Sequence, residues 1–536
     1  MDKFQYNEQT HELFVKRETE YQPYPGGLGK YYHDRLIQIS TEDETSIAQI
    51  DAATGTTQTF KELLDASKKL AQYMRSVGIK PGDNIAMCSY NHINSEVVIV
   101  AALFVGAVMS STDPMLSLED SKHLLNMVKP KLLFVSDGSE ELIEACVDAI
   151  ELKAKIISVS LNSHNEYDTI EEILEKTTIE EDFEPFLVDD LNTVCSILFS
   201  SGTTGLPKGI CLTHNYIFSS LSIYPTVILN WVILNYATFY WVSCVFNLQM
   251  SIQMGCARLL VRQFKKETHW SICSKYNVAY TFLSNTIFME AAKYLPDLSE
   301  LPSLKQVVVG GGLVPEKYLT TYYEKFPSIY VGYVYALTES GLVASYQAGD
   351  KFGSNGKPVP NNLTIKIVDP NTEENLPLTQ TGEIRVKQAH QMAGYFKMDS
   401  KDAWDAQGFL KTGDLGYLDN DYNLFIVDRI KEMFKYRSWH IVPAKIENVL
   451  SSHPDVLYAI VIGKPTYNED ENHAMAIVCL HEKAHASAAE LEAFVNQRMD
   501  NLNQIRAGVK IIDRHEIEFT PTGKINRRSL KSKFIS

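Results

Sequence analysis

Short apolar runs alternate with segments of helical periodicity through the first four-fifths of the chain. The clearest runs are Val97 to Met109, Lys131 to Val135, Ala154 to Val159 and Gln306 to Val309. Continuous apolar runs of this kind are typical of strands or helices that are buried in α/β units. The pattern therefore predicts parallel sheets covered by helices, with ligands bound at the carboxyl ends of the strands.

The pattern changes near the segment Asp428-Arg429-Ile430-Lys431. A strand is predicted directly before this segment, at Asn423 to Val427. After the segment, the pattern is that of a compact α+β unit, with a helix that begins at Pro443, strands at Leu457 to Ile462 and Ala474 to Leu480, and a helix near Ala488 to Met499. We therefore predict a large domain of residues 1–429, a hinge at residues 430–432 and a small domain of residues 433–536.

One apolar segment, Leu221 to Met254, is long enough to suggest a membrane span. It is interrupted by Pro225, Asn230 and Asn235, among other polar residues. No uninterrupted run of roughly 20 apolar residues exists, which is what a span requires. We therefore predict a buried core segment and no transmembrane span.

Composition and charge are those of a globular protein of two or more domains. The chain has 536 residues, of which 45% are hydrophobic and 22% charged, with a formal net charge of −16. The negative charge argues against a nucleic-acid partner, which requires clustered Lys and Arg. It leaves an anionic substrate open, because a local cationic pocket is compatible with an acidic surface.

The cysteines and the termini indicate a reducing compartment. None of the eight cysteines forms a C-x-x-C pair, and they are predicted to be buried free thiols: Cys88, Cys146, Cys195, Cys211, Cys244, Cys256, Cys273 and Cys479. Residues 1–8 lack the apolar core of a signal peptide, and Lys533-Phe534-Ile535-Ser536 is not a peroxisomal address of the S-K-L type. A cytoplasmic location is expected.

Two glycine-rich corners follow predicted strands. The first, Ser200 to Gly209, follows the apolar run Val194 to Phe199 and combines glycines, hydroxyls and Lys208, as phosphate-handling loops do. Its spacing does not fit the Walker A pattern, and an ordinary surface turn is the alternative. The second corner, Gly310-Gly311-Gly312, has a plain tight turn as its alternative.

Five motifs in a fixed order strengthen the interpretation of Ser200 to Gly209 as a phosphate-binding loop. Besides the Ser200 loop they are Tyr335-Ala336-Leu337-Thr338-Glu339, Thr412-Gly413-Asp414, Asp428-Arg429-Ile430-Lys431-Glu432 and Pro521-Thr522-Gly523-Lys524. From about Thr57 to Arg527 the chain resembles the adenylate-forming superfamily, which includes acyl-CoA synthetases, 4-coumarate CoA ligases and beetle luciferases. The resemblance implies an α/β fold with parallel-sheet subdomains and a β-barrel-like part in the large domain, followed by a mobile small domain.

The resemblance also implies an activity and its cofactors. A carboxylic acid, with a fatty acid as the expected substrate, would be activated by ATP and Mg²⁺ to acyl-AMP and then transferred to coenzyme A. Positioning and charge neutralisation dominate such chemistry, because two anions must approach each other. The alternatives are an adenylating enzyme with another acceptor, a luciferase-like oxygenase, and a non-catalytic acyl- or nucleotide-binding protein.

Roles in the first half-reaction are implied residue by residue. The β- and γ-phosphates would be bound by Ser200, Ser201, Gly202, Thr203, Thr204, Gly205 and Lys208. Adenine would be flanked by Gly311, Gly312 and Tyr335, beside Ala336, which replaces the glycine usual in the family. Thr338 would contact the α-phosphate, Glu339 would hold Mg²⁺, Asp414 would bind the ribose hydroxyls with Arg429 nearby, and Lys524 would bridge the substrate carboxylate and the α-phosphate. Taken singly, such carboxylates and lysines are more often solvated surface residues.

Roles in the second half-reaction are implied for residues after the predicted hinge. Lys431 matches the hinge position, and rotation of the small domain would bring Lys435 and Ser438 to the acyl-adenylate. Ser438 stands in a turn that carries glycine in the family, where a serine side chain would crowd the passage of a pantetheine arm. Trp241 is either a wall of the acyl pocket or a core residue. The oligomeric state and the acyl chain length do not follow from the sequence.

Overall fold

A computed structural model describes residues 3–17, 21–160, 167–200, 207–221, 229–347, 349–437, 439–466, 471–519 and 525–535. Its strands are β1 (Phe4–Asn7), β2 (Glu12–Val15), β3 (Ile47–Asp51), β4 (Thr57–Thr59), β5 (Asn84–Cys88), β6 (Val108–Thr112), β7 (Leu132–Val135), β8 (Lys155–Ser158), β9 (Asp168–Thr169), β10 (Val194–Phe199), β11 (Gly209–Thr213), β12 (Val232–Asn235), β13 (Ala257–Leu260), β14 (Val278–Ser284), β15 (Gln306–Gly310), β16 (Tyr330–Leu337), β17 (Gly341–Tyr346), β18 (Lys357–Pro358), β19 (Leu363–Val368), β20 (Asn375–Leu376), β21 (Gly382–Lys387), β22 (Gly394–Tyr395), β23 (Leu410–Leu418), β24 (Leu424–Arg429), β25 (Phe434–Tyr436), β26 (Trp439–Ile441), β27 (Val456–Pro465), β28 (Asn472–Leu480) and β29 (Val509–Ile511). Its α-helices are α1 (Gly27–Glu42), α2 (Phe60–Ser76), α3 (Ile93–Val105), α4 (Leu118–Val128), α5 (Glu140–Ala149), α6 (Ile170–Lys176), α7 (His214–Leu221), α8 (Val242–Met254), α9 (His269–Lys275), α10 (Asn285–Ala291), α11 (Glu316–Lys325), α12 (Pro443–Ser451), α13 (Ala488–Asn496) and α14 (Arg527–Ile535).

The first sheet has the strand order β22-β11-β10-β6-β5-β7-β8-β9. Its strands from β10 to β9 pair in parallel, and β11 turns back antiparallel to β10. Helices in its connections begin at local caps: the Ser117 hydroxyl accepts a hydrogen bond from the Asp120 N–H at α4, and Thr169 and Glu172 form a capping box at α6. The predicted parallel sheet covered by helices is confirmed here.

The second sheet has the order β18-β17-β16-β15-β14-β12-β13-β3-β4. Its strands from β16 to β3 are parallel, and an antiparallel partner closes each side of this block. The buried run Val307 to Val309 lies in β15, as predicted. The segment Leu221 to Met254 contributes β12 and the largely buried helix α8 to this region, which agrees with a core interpretation. Among the helices that the structure describes, none combines the length and apolar character needed to cross a membrane.

An antiparallel sheet of order β1-β2-β19-β21-β23-β24, with β20 on β19, packs against both parallel sheets. This is the part expected to resemble a barrel, and in the described pairings its order is open, from β1 to β24. One hydrophobic cluster joins the three sheets through Leu198, Tyr335, Val343 and Ile384. The three sheets therefore share a continuous core.

Beyond β24, the chain forms the hairpin β25–β26, the sheet β27-β28-β29 and the helices α12 to α14. The predicted helix at Pro443 and the two predicted strands are present. This part contacts the large one through Glu290 of α10, whose carboxylate accepts a hydrogen bond from the Tyr458 hydroxyl at 3.2 Å and lies 3.2 Å from Arg514. All eight cysteines are free and buried, as predicted.

Candidate active site

The ends of the glycine- and hydroxyl-rich loop are held together by the β10–β11 hairpin. The Ser200 N–H donates to the Lys208 carbonyl at 2.9 Å, and the Lys208 N–H donates to the Ser200 hydroxyl at 2.9 Å. Lys208 is exposed immediately before β11. Ser201, Gly202, Thr203, Thr204 and Gly205 lie outside the described residues. Ser200 and Lys208 therefore flank the predicted phosphate loop and are hydrogen-bonded to each other.

Thr338 and Glu339 follow the carboxyl end of β16, where ligands of parallel sheets bind. The Tyr216 hydroxyl of α7 donates to the Thr338 carbonyl at 2.9 Å, and the Met392 N–H donates to the Glu339 carbonyl at 2.8 Å. Burial raises the pKa of the half-buried Glu339 carboxyl, and the charge of Arg429 opposes that rise. Both residues are thus fixed through their backbone carbonyls.

Tyr395 connects the two elements described so far, and the sequence analysis missed it. The Lys208 ammonium lies 4.8 Å from the centre of the Tyr395 ring, within cation–π range. The Tyr395 hydroxyl lies 3.5 Å from Glu339 Oε1. Burial, with the nearby Glu339 charge, raises the pKa of Tyr395 to about 12, so its hydroxyl keeps its proton at neutral pH and acts as a donor.

Asp414 is the centre of a buried polar cluster on the antiparallel sheet. It lies opposite Arg429 in the β23–β24 register, and Arg429 Nε is 2.9 Å from Asp414 Oδ1. The Tyr335 hydroxyl donates to Asp414 Oδ2 at 2.6 Å, and the Thr412 hydroxyl accepts from the Asp414 N–H at 3.0 Å. The Asp414 side chain is 4% exposed, whereas that of Arg429 is 47% exposed. Burial raises the pKa of Tyr335 well above its usual value, and Asp414 raises the pKa of Arg429.

The triple glycine forms a bend that lies close to the side chain of Asn285. Gly311 is exposed with φ +89°, a conformation that favours glycine. A Cβ on Gly312 would lie 2.6 Å from the Asn285 amide at the start of α10. Ala336 is exposed, and the pairing of β16 with β17 shifts register between Tyr335 and Ala336. These residues lie at the carboxyl ends of β15 and β16, as expected for a ligand edge.

Trp241 precedes α8 and is half-buried. Its ring meets the Tyr240 ring edge-on, with centroids 4.6 Å apart, and Tyr240 in turn stacks on Phe199 at the end of β10. The buried carboxylate of Asp113 accepts a hydrogen bond from the Thr238 hydroxyl at 2.7 Å. Burial raises the pKa of Asp113, and a hydrogen bond from Trp241 opposes that rise. Trp241 is thus held from two sides, while part of its ring remains accessible.

The residues assigned to the second half-reaction lie partly within the described chain. Lys431 is exposed in a 3₁₀ turn, Ile430–Glu432, directly after β24, and Lys435 is exposed on β25. Arg437 has φ +48° at the tip of the β25–β26 hairpin, and Trp439 is 64% exposed beside it. Ser438 and Lys524 lie outside the described residues.

A divalent cation of the Mg²⁺ type fits Glu339 by donor chemistry. Mg²⁺ prefers carboxylate oxygens and is commonly shared between one or two carboxylates and substrate phosphates. Glu339 offers such an oxygen beside Lys208, which ends the loop predicted to hold phosphates. Within the described ranges, no group of three or more His, Cys, Asp or Glu side chains forms a metal cage.

Three residues that the sequence analysis missed contact site residues from distant parts of the chain: Tyr395 contacts Lys208 and Glu339, Tyr216 contacts Thr338, and Asp113 contacts Trp241. The local sequence gives no distinctive signal for any of them: Tyr395 simply follows a glycine, Tyr216 lies within helix α7, and Asp113 follows strand β6. Only their contacts identify them.

Two family models match the chain. One, described as AMP-binding enzyme, matches residues 39–396. The other, described as AMP-binding enzyme C-terminal domain, matches residues 445–524. Together they cover the parallel sheets, the loop of Lys208 and most of the C-terminal part.

Curated relatives span nearly the whole chain. A luciferin 4-monooxygenase from Luciola mingrelica is 29% identical over 94% of this chain and 94% of its own length. A 4-coumarate–CoA ligase from Humulus lupulus is 28% identical over 91% of each.

Solved structures share the fold. A luciferase-like enzyme from the nonluminescent Zophobas morio mealworm is 29% identical, with a TM-score of 0.72 over 78% of this chain and 100% of that chain. An o-succinylbenzoate CoA synthetase from Bacillus subtilis, solved with its acyl-adenylate intermediate, is 24% identical, with a TM-score of 0.80 over 95% of this chain and 98% of that chain.

Proposed function

Because the chain belongs to the AMP-binding enzyme family of the adenylate-forming superfamily, we propose that it activates a fatty acid with ATP and transfers the acyl group to coenzyme A. The products are acyl-CoA, AMP and pyrophosphate, which makes the protein an AMP-forming acid–thiol ligase. The family assignment does not specify the acid or the acceptor, and the proposal names both: a fatty acid and coenzyme A.

The observation that carries the proposal is the Asp414 cluster beside Glu339 and Lys208. Asp414 presents a buried carboxylate whose two oxygens each already accept one hydrogen bond, from Arg429 and from Tyr335. A carboxylate has about four acceptor positions, so two remain for a vicinal pair of hydroxyls such as those of ribose. A cation and a metal-binding carboxylate lie nearby for the phosphates.

In the first step, a carboxylate oxygen of the acid attacks the α-phosphorus of ATP and the bond to the β-phosphate oxygen breaks. Acyl-AMP forms and pyrophosphate leaves with the electron pair of that bond. Lys208 and the loop behind Ser200 neutralise the departing phosphates, Thr338 contacts the α-phosphate, and Lys524 neutralises charge between the two reactants. Glu339 and the nucleotide would share Mg²⁺, which supplies further charge neutralisation on the phosphate oxygens.

In the second step, the thiol sulfur of coenzyme A attacks the acyl carbon of acyl-AMP and loses its proton. The bond from that carbon to the phosphate oxygen breaks, and AMP leaves with the electron pair of that bond. Residues 430–432 form the hinge between a domain of residues 1–429 and a mobile domain of residues 433–536. Rotation about Lys431 withdraws Lys524 and brings Lys435 and Ser438 to the site. The exposure of Lys435 on its hairpin supports this assignment, because nothing has to unfold to present it.

The acyl group is assigned to the region of Trp241. Its accessible ring, between buried Tyr240 and the polar contact with Asp113, offers an apolar wall near the end of β10. The selectivity of such a pocket changes by about 1–3 kcal/mol per methylene, which is sufficient to rank acids by length.

A second candidate is adenylation with a different acceptor, including a luciferase-like oxygenation. Two observations favour it: the turn at Arg437 and Ser438 carries no glycine, and luciferin 4-monooxygenases are among the similar proteins. A serine side chain in that turn would narrow the path of a pantetheine arm.

Product analysis by mass spectrometry separates the candidates. The protein is incubated with ATP, Mg²⁺ and a panel of fatty and aromatic acids, with and without coenzyme A. Acyl-CoA from fatty acids is the expected result. Acyl-AMP without thioester refutes the coenzyme A step and favours the second candidate, and absence of both products from every acid contradicts the proposed activation of fatty acids.

A further inference from the structure

The segment Met392 to Phe396 ties the phosphate loop to the end of β16. The Met392 N–H donates to the Glu339 carbonyl at 2.8 Å, and the Phe396 N–H donates to the Gly209 carbonyl at 2.7 Å. Between them, β22 pairs with β11, so that Tyr395 lies opposite Ile210. One short segment therefore bonds to the strand after Lys208 and to Glu339 itself.

The side chain of Tyr395 also connects the same two places, because it contacts the side chains of both Lys208 and Glu339. Its ring lies under the Lys208 ammonium at 4.8 Å, and its hydroxyl reaches Glu339 Oε1 at 3.5 Å. Tyr395 is half-buried, and its backbone N–H donates to the Ser400 hydroxyl at 2.7 Å, which fixes the base of the side chain. The lysine comes from the first sheet and the carboxylate from the second, and the tyrosine spans the gap between them.

We propose that Tyr395 is a positioning residue that sets the placement of Lys208 relative to Glu339, so that the phosphates of a nucleotide and its divalent cation are bound together. The inference rests on the proposed function and adds a residue to it. The hydroxyl orients the carboxylate toward the cation, and the ring holds the lysine where the leaving phosphates lie. The two parts of one side chain therefore have separable effects.

The test uses the full chain and equilibrium binding of α,β-methylene-ATP, an analogue that cannot be cleaved between its α- and β-phosphates. Calorimetric titrations at a series of Mg²⁺ concentrations give the nucleotide Kd and its Mg²⁺ dependence. The variants are Tyr395→Phe, which removes only the hydroxyl, and Tyr395→Leu, which also removes the ring. The matched control is Tyr323→Phe, since the half-buried Tyr323 donates to the Val331 carbonyl at 3.0 Å at the opposite end of β16.

For Tyr395→Phe, we expect the Mg²⁺ concentration at half-maximal binding to rise about three- to tenfold, with little change in Kd at saturating Mg²⁺. For Tyr395→Leu, we expect the nucleotide Kd at saturating Mg²⁺ also to rise, about two- to fivefold above that of Tyr395→Phe, because the cation–π contact with Lys208 is lost. Tyr323→Phe should bind as the wild type does. Thermal unfolding of each variant shows whether the fold is retained.

The outcomes distinguish this inference from the proposed function. If the wild type binds the analogue and Tyr395→Phe shows the wild-type Mg²⁺ dependence, the positioning role is wrong while the proposed function stands. If both Tyr395 variants lose affinity equally at every Mg²⁺ concentration, the residue is merely structural and the inference is also wrong. If the wild type itself does not bind the analogue, the proposed function fails first.

Discussion

Replacing Asp414 by asparagine changes the charge of the nucleotide-binding cluster while keeping the shape of the side chain. The carboxylate accepts from Arg429 at 2.9 Å and from Tyr335 at 2.6 Å, and its remaining acceptor positions are assigned to the two ribose hydroxyls. An amide has a single oxygen, and its nitrogen donates. The variant therefore weakens both assigned ribose contacts and places a donor beside Arg429 or Tyr335.

The expected loss follows from these contacts. Hydrogen bonds to a charged group contribute about 1.5–3 kcal/mol and neutral ones about 0.5–1.5 kcal/mol, so each ribose contact loses about 1–1.5 kcal/mol. Two contacts give about 2–3 kcal/mol, which is a rise in nucleotide Kd of about 30- to 150-fold. The cost in stability is smaller, about 1–2 kcal/mol, because the half-exposed guanidinium of Arg429 becomes hydrated when it loses its partner.

The assay is calorimetric binding of α,β-methylene-ATP with Mg²⁺, together with thermal unfolding. Asp419→Asn is the control, because Asp419 is another buried carboxylate, 6% exposed, that pairs with Lys351 at 2.9 Å and accepts the Asn423 N–H at 2.8 Å. It lies five positions along the chain from Asp414, beyond the end of β23. We expect a comparable loss of stability and an unchanged nucleotide Kd.

The reasoning is refuted if Asp414→Asn binds the nucleotide as tightly as the wild type. It is equally refuted if Asp419→Asn loses as much affinity as Asp414→Asn, since the effect would then follow stability and not the assigned contact.

Three further predictions concern other parts of the molecule. Lys524→Ala should lower acid-dependent pyrophosphate exchange by about two to three orders of magnitude. The control Lys533→Ala, which removes the ion pair with Glu516 near the surface, should leave the exchange rate unchanged. Near-normal exchange in Lys524→Ala would contradict the proposed role of Lys524 between the substrate carboxylate and the α-phosphate. Burial raises the pKa of Asp428 to about 6 from 3.8, so the folded protein holds its proton more tightly than the unfolded chain does. The free energy of unfolding of the wild type should therefore fall relative to that of Asp428→Asn as the pH rises from about 4 to 7, by at most about 3 kcal/mol. Urea unfolding at a series of pH values measures both free energies, and the same pH dependence in the two proteins would contradict this prediction. Trp241→Ala should shift the ratio of kcat/KM values toward bulkier acids by about tenfold, and unchanged ratios across the acid panel would assign Trp241 to the core.

Much of the fold follows from local patterns. The buried runs at Lys131 to Val135 and Gln306 to Val309 form strands of parallel sheets, and the helix at Pro443 begins where its first-turn proline predicts. The run Val97 to Met109 shows the limit of this reasoning, because it contains most of helix α3 and the start of strand β6. A continuous apolar run indicates burial on all sides, and burial alone does not distinguish a helix from a strand.

The sequence by itself determined the alternation of elements, the buried thiols and the order of the motifs, because side-chain period, turn propensity and motif spacing are local properties of the chain. Tertiary structure alone decided that three sheets share one core, and so which groups face each other. It placed Tyr395 between Lys208 and Glu339, and the Tyr335 hydroxyl against Asp414. These contacts join residues far apart in the chain, and they depend on how whole sheets pack against a common core.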